Sequence, residues 1–166
     1  ASTHDYLLFF TNKGQVFRKK VFELPQAGPT GRGKAAINLL PLREGESICS
    51  CLNVPEEAEN KYIFLCTEGG VAKKTPMLDC AKIRVSGLRV ITLDEGDSVI
   101  SVQLTDGDQE LFFATRDGMG LRVNEKTLRP MGRQARGVRG VKLRKGDRVV
   151  SALALSGSGE LLTVTE

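Results

Sequence analysis

"LLFFTNKGQVFRK", residues 7–19, starts on four apolar residues, turns through Thr11-Asn12-Lys13-Gly14 and returns through Val16 and Phe17. The same layout comes back as "IFLCTEGGVAKKT", residues 63–75, and as "LFFATRDGMGLRV", residues 111–123. Aligned, Thr11, Thr67 and Thr115 fall together, then Gly14, Gly70 and Gly118, then Arg18, Lys74 and Arg122. A glycine at that place supplies the positive φ of a tight turn, so each copy reads as strand, turn, strand. A second match follows each hairpin. "LLPLREGESICSCL" (39–52), "VITLDEGDSVISVQL" (90–104) and "VKLRKGDRVVSALAL" (141–155) superpose Leu42, Leu93 and Leu143, and Gly45, Gly96 and Gly146. These again predict strand, glycine turn, strand. Four strands in about fifty residues, repeated, predict an all-β propeller of about three four-stranded blades. The repeats run over about 5–60, 61–109 and 110–159 of a single partial domain spanning 1–166. Residues 160–166, "ELLTVTE", match the first strand of a further repeat, Thr165 aligning with Thr115.

Composition agrees with short strands and tight turns. The 166 residues include 18 glycines, 40% apolar residues and 27% charged ones. The net charge of +4 is unevenly placed. Residues 5–60 are neutral overall and 61–109 carry a net −1, whereas 110–159 hold eleven basic and four acidic side chains, a net +7. A positive charge so concentrated is the footprint of an anionic partner, or else a solvated face. The four cysteines, at 49, 51, 66 and 80, form no C-x-x-C pair, and the one histidine is His4, so no metal pattern is present. No signal peptide or long apolar run occurs, which together with unpaired thiols predicts the cytoplasm and no membrane contact.

Between the two halves of each repeat lies a connector: "VFELPQAGPTGRGKAA" (21–36), "PMLDCAKIRVSG" (76–87) and "NEKTLRPMGRQARG" (124–137). Each is expected to begin with a single helical turn and to end in a glycine-rich loop. The loops and their exits are basic every time, with Arg32 and Lys34, then Lys82, Arg84 and Arg89, then Arg133, Arg136 and Arg139. A propeller brings equivalent loops to one rim, so these cations, with the aligned Arg18, Lys74 and Arg122, are the candidate phosphate contacts. Gly132, Gly137 and Gly140 let backbone N–H groups approach a phosphate. Loss of Arg136 or of Arg139 is expected to weaken phosphate binding in each case without regard to the partner's sequence, and Lys73, inside a hairpin strand, is expected to matter less. Tyr6 and Tyr62 read as core residues of first strands.

"THDYLLFFTNKGQVF", "LPQAGPTGRGKAAINLLPL", "LTDGDQELFFATRDG" and "MGRQARGVRGVKL" resemble the C-terminal DNA-wrapping domain of bacterial DNA gyrase A, from residue 3 to 166. The related domain of topoisomerase IV is similar. The resemblance implies a β-pinwheel, in which strands are exchanged between neighbouring blades, this chain forming about half of a six-bladed disc. It implies non-specific binding and bending of double-stranded DNA around a basic outer rim, in support of negative supercoiling. It implies no catalytic residue, metal or cofactor here. The ATP and Mg2+ of the topoisomerase would act elsewhere in the holoenzyme, whose other parts, the rest of the gyrase A polypeptide and gyrase B, would be partners. The family's Q-R-R-G-G-K-G box is absent, and "GPTGRGKAA" is a relative of it.

Two other classes compete with this one. A propeller for protein–protein recognition would need an exposed apolar or aromatic patch. An enzyme would need converging acids, bases or metal ligands, and the repeats align none. Asp97 and Asp147, which follow the second turn's glycine, suit turn-stabilising hydrogen bonds. Self-association, two chains completing a ring and covering open sheet edges, is left open.

Overall fold

A computed structural model describes residues 5–25, 35, 38–54, 58–80 and 83–157. Arg32, Lys34, Lys82 and the segment 160–166 lie outside the described residues. The described residues form eleven strands: β1 (Tyr6–Thr11), β2 (Gln15–Lys20), β3 (Ile48–Val54), β4 (Tyr62–Thr67), β5 (Val71–Pro76), β6 (Leu88–Arg89), β7 (Val99–Thr105), β8 (Glu110–Thr115), β9 (Gly120–Asn124), β10 (Val138–Arg139) and β11 (Val149–Leu155). Single 3-10 turns at Val21–Glu23, Met77–Cys80 and Glu125–Thr127 start the three connectors, where the helical turns are expected. No α-helix occurs among the described residues.

The hairpins form because their turns satisfy themselves. The amide of Gly14 donates to Thr11 O, that of Gly70 to Thr67 O and that of Gly118 to Thr115 O, at 3.0–3.1 Å. The threonine hydroxyl oxygens then accept from the amide that follows the turn glycine, at Gln15, Val71 and Met119. The glycines carry φ of +72°, +82° and +79°, a region costly for any residue with a Cβ. The second turn is tied to the first. Asp97 Oδ1 accepts from the Gly69 and Ser98 amides, both at 2.8 Å, and Asp147 Oδ1 accepts from Asp117 and Arg148.

All pairing is antiparallel within three sheets, ordered β3-β1-β2-β6, β10-β5-β4-β7 and β11-β8-β9. The first two contain a strand from the following repeat. β6 pairs with β2, Gln15 opposite Arg89 and Val16 opposite Leu88. β10 pairs with β5, Val71 opposite Arg139 and Ala72 opposite Val138. This is the strand exchange of a pinwheel. The third sheet has three strands rather than the expected four, and no strand lies outside β9 among the described residues.

A further correction concerns the second halves. Residues 39–42, 90–93 and 141–143 precede their glycine turns without joining a sheet. Their apolar side chains pack instead: Leu40 and Ile91 are buried, and Leu93, Val141 and Leu143 lie against the core. Here burial and single backbone hydrogen bonds, not a ladder, fix the chain.

The core fills the two gaps between successive sheets. Leu8, Phe10, Val16, Ile63, Leu65, Val90, Ile91 and Val102 form one cluster. Phe64, Cys66, Ala72, Leu111, Phe113, Val149 and Ala152 form the other, with the Phe64 and Phe113 rings edge-to-face at 6.0 Å. Thus β4 is buried on both faces, as its unbroken apolar run Ile63-Phe64-Leu65-Cys66 requires, while β8 alternates. Strand β7 lies between β3 and β11, in contact with both. Ser50 Oγ donates to Val102 O at 3.0 Å and Ser101 Oγ to Ala152 O at 2.6 Å, fastening that edge of each sheet to the next. The opposite edge of the first two sheets, formed by β6 and β10, is therefore the outer one.

Candidate nucleic-acid interface

Arg89 and Arg139 hold equivalent places on the two outer-edge strands. Each is the second residue of a two-residue strand donated to the preceding sheet, and each is exposed. These strands can sit there because the preceding turn glycines leave room and acceptors. Gly14 O accepts from Val90 N at 2.9 Å, and Gly70 O accepts from Gly140 N at 2.9 Å and Val141 N at 3.2 Å.

The basic loop of the third repeat, Met131 to Arg139, is laid across the second repeat and fixed along its length. Met131 N donates to Lys74 O at 2.8 Å. Lys73 Nζ donates to Arg133 O at 2.7 Å and to Val90 O at 2.6 Å. Thr92 Oγ1 donates to Gln134 O at 2.9 Å, and the Arg136 guanidinium pairs with the Asp94 carboxylate. Gly137, with φ +96°, passes so close to the second sheet that a Cβ would lie 2.7 Å from Val71 Cγ1. The backbone is thereby held inward while Arg133, Arg136 and Arg139 stay exposed. Burial pushes the Lys73 ammonium down to about 8, although nearby Cys80 and Asp79 act against this. Lys73 is wholly inside and serves the loop as an anchor.

The aligned hairpin cations meet three different fates. Arg18 is exposed and lies over the Tyr6 ring, 4.8 Å from its centre. Arg122 is exposed and paired with Glu110 at 3.1 Å; hydrogen bonds from Asn124 and Arg122 hold the Glu110 carboxyl below its usual range. Lys74 is buried, a correction to its place among the phosphate contacts. Its Nζ donates to Glu125 O at 3.1 Å and lies 3.9 Å from Glu125 Oε1. Glu125 has no exposure and also accepts from Thr105 Oγ1 at 2.5 Å and from Gln109 N. Tyr6 and Tyr62 are half-buried rather than core, each beside a cation.

The net +7 of residues 110–159 also divides. Arg116, Arg122, Lys126, Arg136 and Arg148 are paired with Asp117, Glu110, Asp108, Asp94 and Glu68. Arg129, Arg133, Arg139, Lys142, Arg144 and Lys145 are exposed, and none forms an ion pair among the described residues. Arg136, Arg139 and Lys142 line one shallow groove with Gly70, Val138 and Asp94. Lys142 was missed as a candidate; its signal is the alternation Val141-Lys142-Leu143, which turns the lysine away from two packed neighbours. Arg84 is exposed as well. Among the described residues no group of three or more His, Cys, Asp or Glu side chains could hold a metal ion, and no helix is long and apolar enough to cross a membrane.

The model of the DNA gyrase C-terminal domain, a β-propeller, matches residues 5–55, 61–106 and 109–156. DNA gyrase A of Haloquadratum walsbyi is 41% identical over 172 residues, covering all of this chain and 20% of the relative. DNA gyrase A of Escherichia coli K12 is 39% identical over 166 residues, again covering the whole chain and 19% of the relative. The chain thus spans about one fifth of the length of these relatives. Among solved structures, the C-terminal domain of a DNA topoisomerase IV superposes with a TM-score of 0.86 at 35% identity, over 93% of this chain and 48% of that one. A DNA gyrase A C-terminal domain superposes with 0.73 at 25% identity, over 93% and 49%. The family's model is matched across all three hairpins, the fold is shared with a solved member, and the whole length aligns with gyrase A relatives: the chain belongs to the DNA gyrase C-terminal domain family.

Proposed function

We propose that this chain binds double-stranded DNA without sequence preference along its outer edge and bends it, as the non-catalytic wrapping part of a DNA gyrase A polypeptide. The observation that carries this reading is the outer edge itself. Arg89 and Arg139 recur there in the same register, with Arg133, Lys142 and Arg84 exposed around them. Cations on a fixed backbone neutralise phosphates at a regular spacing, and no α-helix is present to read a groove among the described residues. The repeats 5–60, 61–109 and 110–159 would act together as one arc of the rim. The rest of gyrase A, together with gyrase B, would supply strand passage, with their ATP and Mg2+, in the bacterial cytoplasm. Arg32, Lys34 and Lys82, outside the described residues, are proposed as further phosphate contacts.

The test is a salt titration of binding to a duplex of about thirty base pairs and to a scrambled duplex of equal length. Log affinity should fall with log salt at about −0.9 per phosphate neutralised, equally for both duplexes. Affinity that ignores salt, or that one duplex loses, removes the reading. A protein-recognition surface is then the better one, since Phe22, Leu78 and Val85 expose the apolar side chains such a surface would use.

A further inference from the structure

We infer that Asp94 competes with DNA phosphate for Arg136, so that the second repeat attenuates the rim of the third. The inference rests on the DNA-binding reading above. Its starting point is a charge inversion. After the aligned Leu42, Leu93 and Leu143, the first and third repeats carry Arg43 and Arg144, while the second carries Asp94. The carboxylate therefore stands in a place that is otherwise basic.

The loop that brings Arg136 to it is not free to leave. Gln134 O accepts from Thr92 Oγ1 and Ala135 O from Thr92 N, two residues before Asp94. Gly137 is wedged against Val71 and Ala72 just beyond. Arg136 is thus delivered to Asp94 by backbone on both sides, and the two side chains meet in the groove that Arg139 and Lys142 also line. Arg139 and Lys142 have no carboxylate partner among the described residues. The groove therefore offers a phosphate two unpaired cations and one that is already matched. Both members of the pair reach solvent, the arginine more than the aspartate, so the pair is weak enough for phosphate to contest.

The consequence is a rim whose charge at this blade is held in check. Removing the carboxylate should release Arg136 and add one phosphate contact. The experiment measures binding to a non-specific duplex across a salt series for the wild type, Asp94→Asn, Glu95→Gln, Arg136→Ala and the double variant Asp94→Asn/Arg136→Ala. Glu95→Gln changes net charge by the same amount one residue away, without touching the pair. Asp94→Asn should tighten binding about two- to fivefold, the scale of an exposed pair. It should also steepen the salt slope by up to about 0.9. Glu95→Gln should do less, and the double variant should fall back to the level of Arg136→Ala. If Asp94→Asn gains no more than Glu95→Gln, or keeps its gain without Arg136, the competition does not exist. If the wild type shows no salt-dependent binding at all, the DNA reading fails instead, and the two failures are told apart by the wild-type curve. Unchanged thermal melts in all variants confirm that the comparison is between folded chains.

Discussion

Alanine placed singly at Gly14, Gly70 and Gly118 separates two costs that the aligned sequences merge. All three glycines have nearly the same positive φ, so each variant bears a backbone cost of about 1 kcal/mol. What surrounds them differs. A Cβ at Gly118 meets nothing within 4 Å, so the backbone cost stands alone. At Gly70 it would lie 3.0 Å from both Val141 Cγ1 and Val141 O, which must give by a few tenths of an ångström. At Gly14 it would lie 2.6 Å from Ile91 Cγ2, which is buried and has to move. Overpacking of that kind costs about 1–3 kcal/mol, and loosening the Val90 N to Gly14 O bond about 1 more. The expected losses are about 1 kcal/mol for Gly118→Ala, about 2 for Gly70→Ala and about 3–5 for Gly14→Ala. At this chain length each kcal/mol lowers Tm by about 3 °C, so the three melts should be resolved by circular dichroism. Equal losses at all three sites would refute the docking of the next repeat's chain on Gly14 and Gly70. A Gly118 variant as stable as the wild type would refute the positive-φ turn.

Arg139→Ala should weaken binding to every duplex alike and lower the salt slope by about 1, whereas Arg136→Ala should cost less because Asp94 already occupies it, measured by the same titration. Glu125→Ala strands the buried Lys74 charge and frees Thr105 Oγ1, and should cost about 3 kcal/mol in urea unfolding; a loss below about 1 would mean that the site is hydrated. Cys51, exposed, should react first with a thiol reagent in the native chain, while Cys66, pushed by burial up to about 12, and Cys80, up to about 11, should wait for unfolding. Those raised thiols make stability complete below their ordinary 9.0 and declining above it, since only the unfolded chain then sheds their protons. Lys73 acts oppositely from about 8 upward, but one amine is outweighed by two thiols, so the urea midpoint under reductant should fall between about pH 9 and 10.5; a rise would contradict it.

The hairpins were legible in the sequence because a local rule governs them. Threonine, two free positions and glycine close a turn with bonds that reach no further than four residues. The donated strands were not. Leu88–Arg89 and Val138–Arg139 are two residues long, too short for any alternation, and their partners belong to the preceding repeat. What could have exposed them is the turn glycine itself, which is needed both for φ and for the passage of the next chain. The candidate site was legible where cations stand in glycine-rich loops, as at Arg133 and Arg139. It misled at Lys74, where alignment with Arg18 and Arg122 hid a difference of layer. The middle sheet is covered on both faces, so its equivalent residue is enclosed and takes Glu125 from the next connector as partner. Pairing of Arg136 with Asp94 needed the loop's path, which no spacing encodes.

The donated strands also set the order in which the chain can be completed during its synthesis. β2 begins at Gln15, yet the residue that closes its outer side is Arg89, 74 positions later. At about 5–20 residues per second a ribosome needs about 4–15 seconds to add that stretch. Throughout it the outer edge of β2 is bare, and by the time Arg89 arrives β3 and the hairpin of the second repeat have already been made. The first two sheets are thus each completed by a successor that is itself unfinished, and until then the nascent chain exposes an open strand, the kind of surface on which neighbouring chains pair wrongly. β6 covers only Gln15 and Val16, and the cations on the remainder of β2, Arg18, Lys19 and Lys20, suit an edge that must not pair with neighbouring chains.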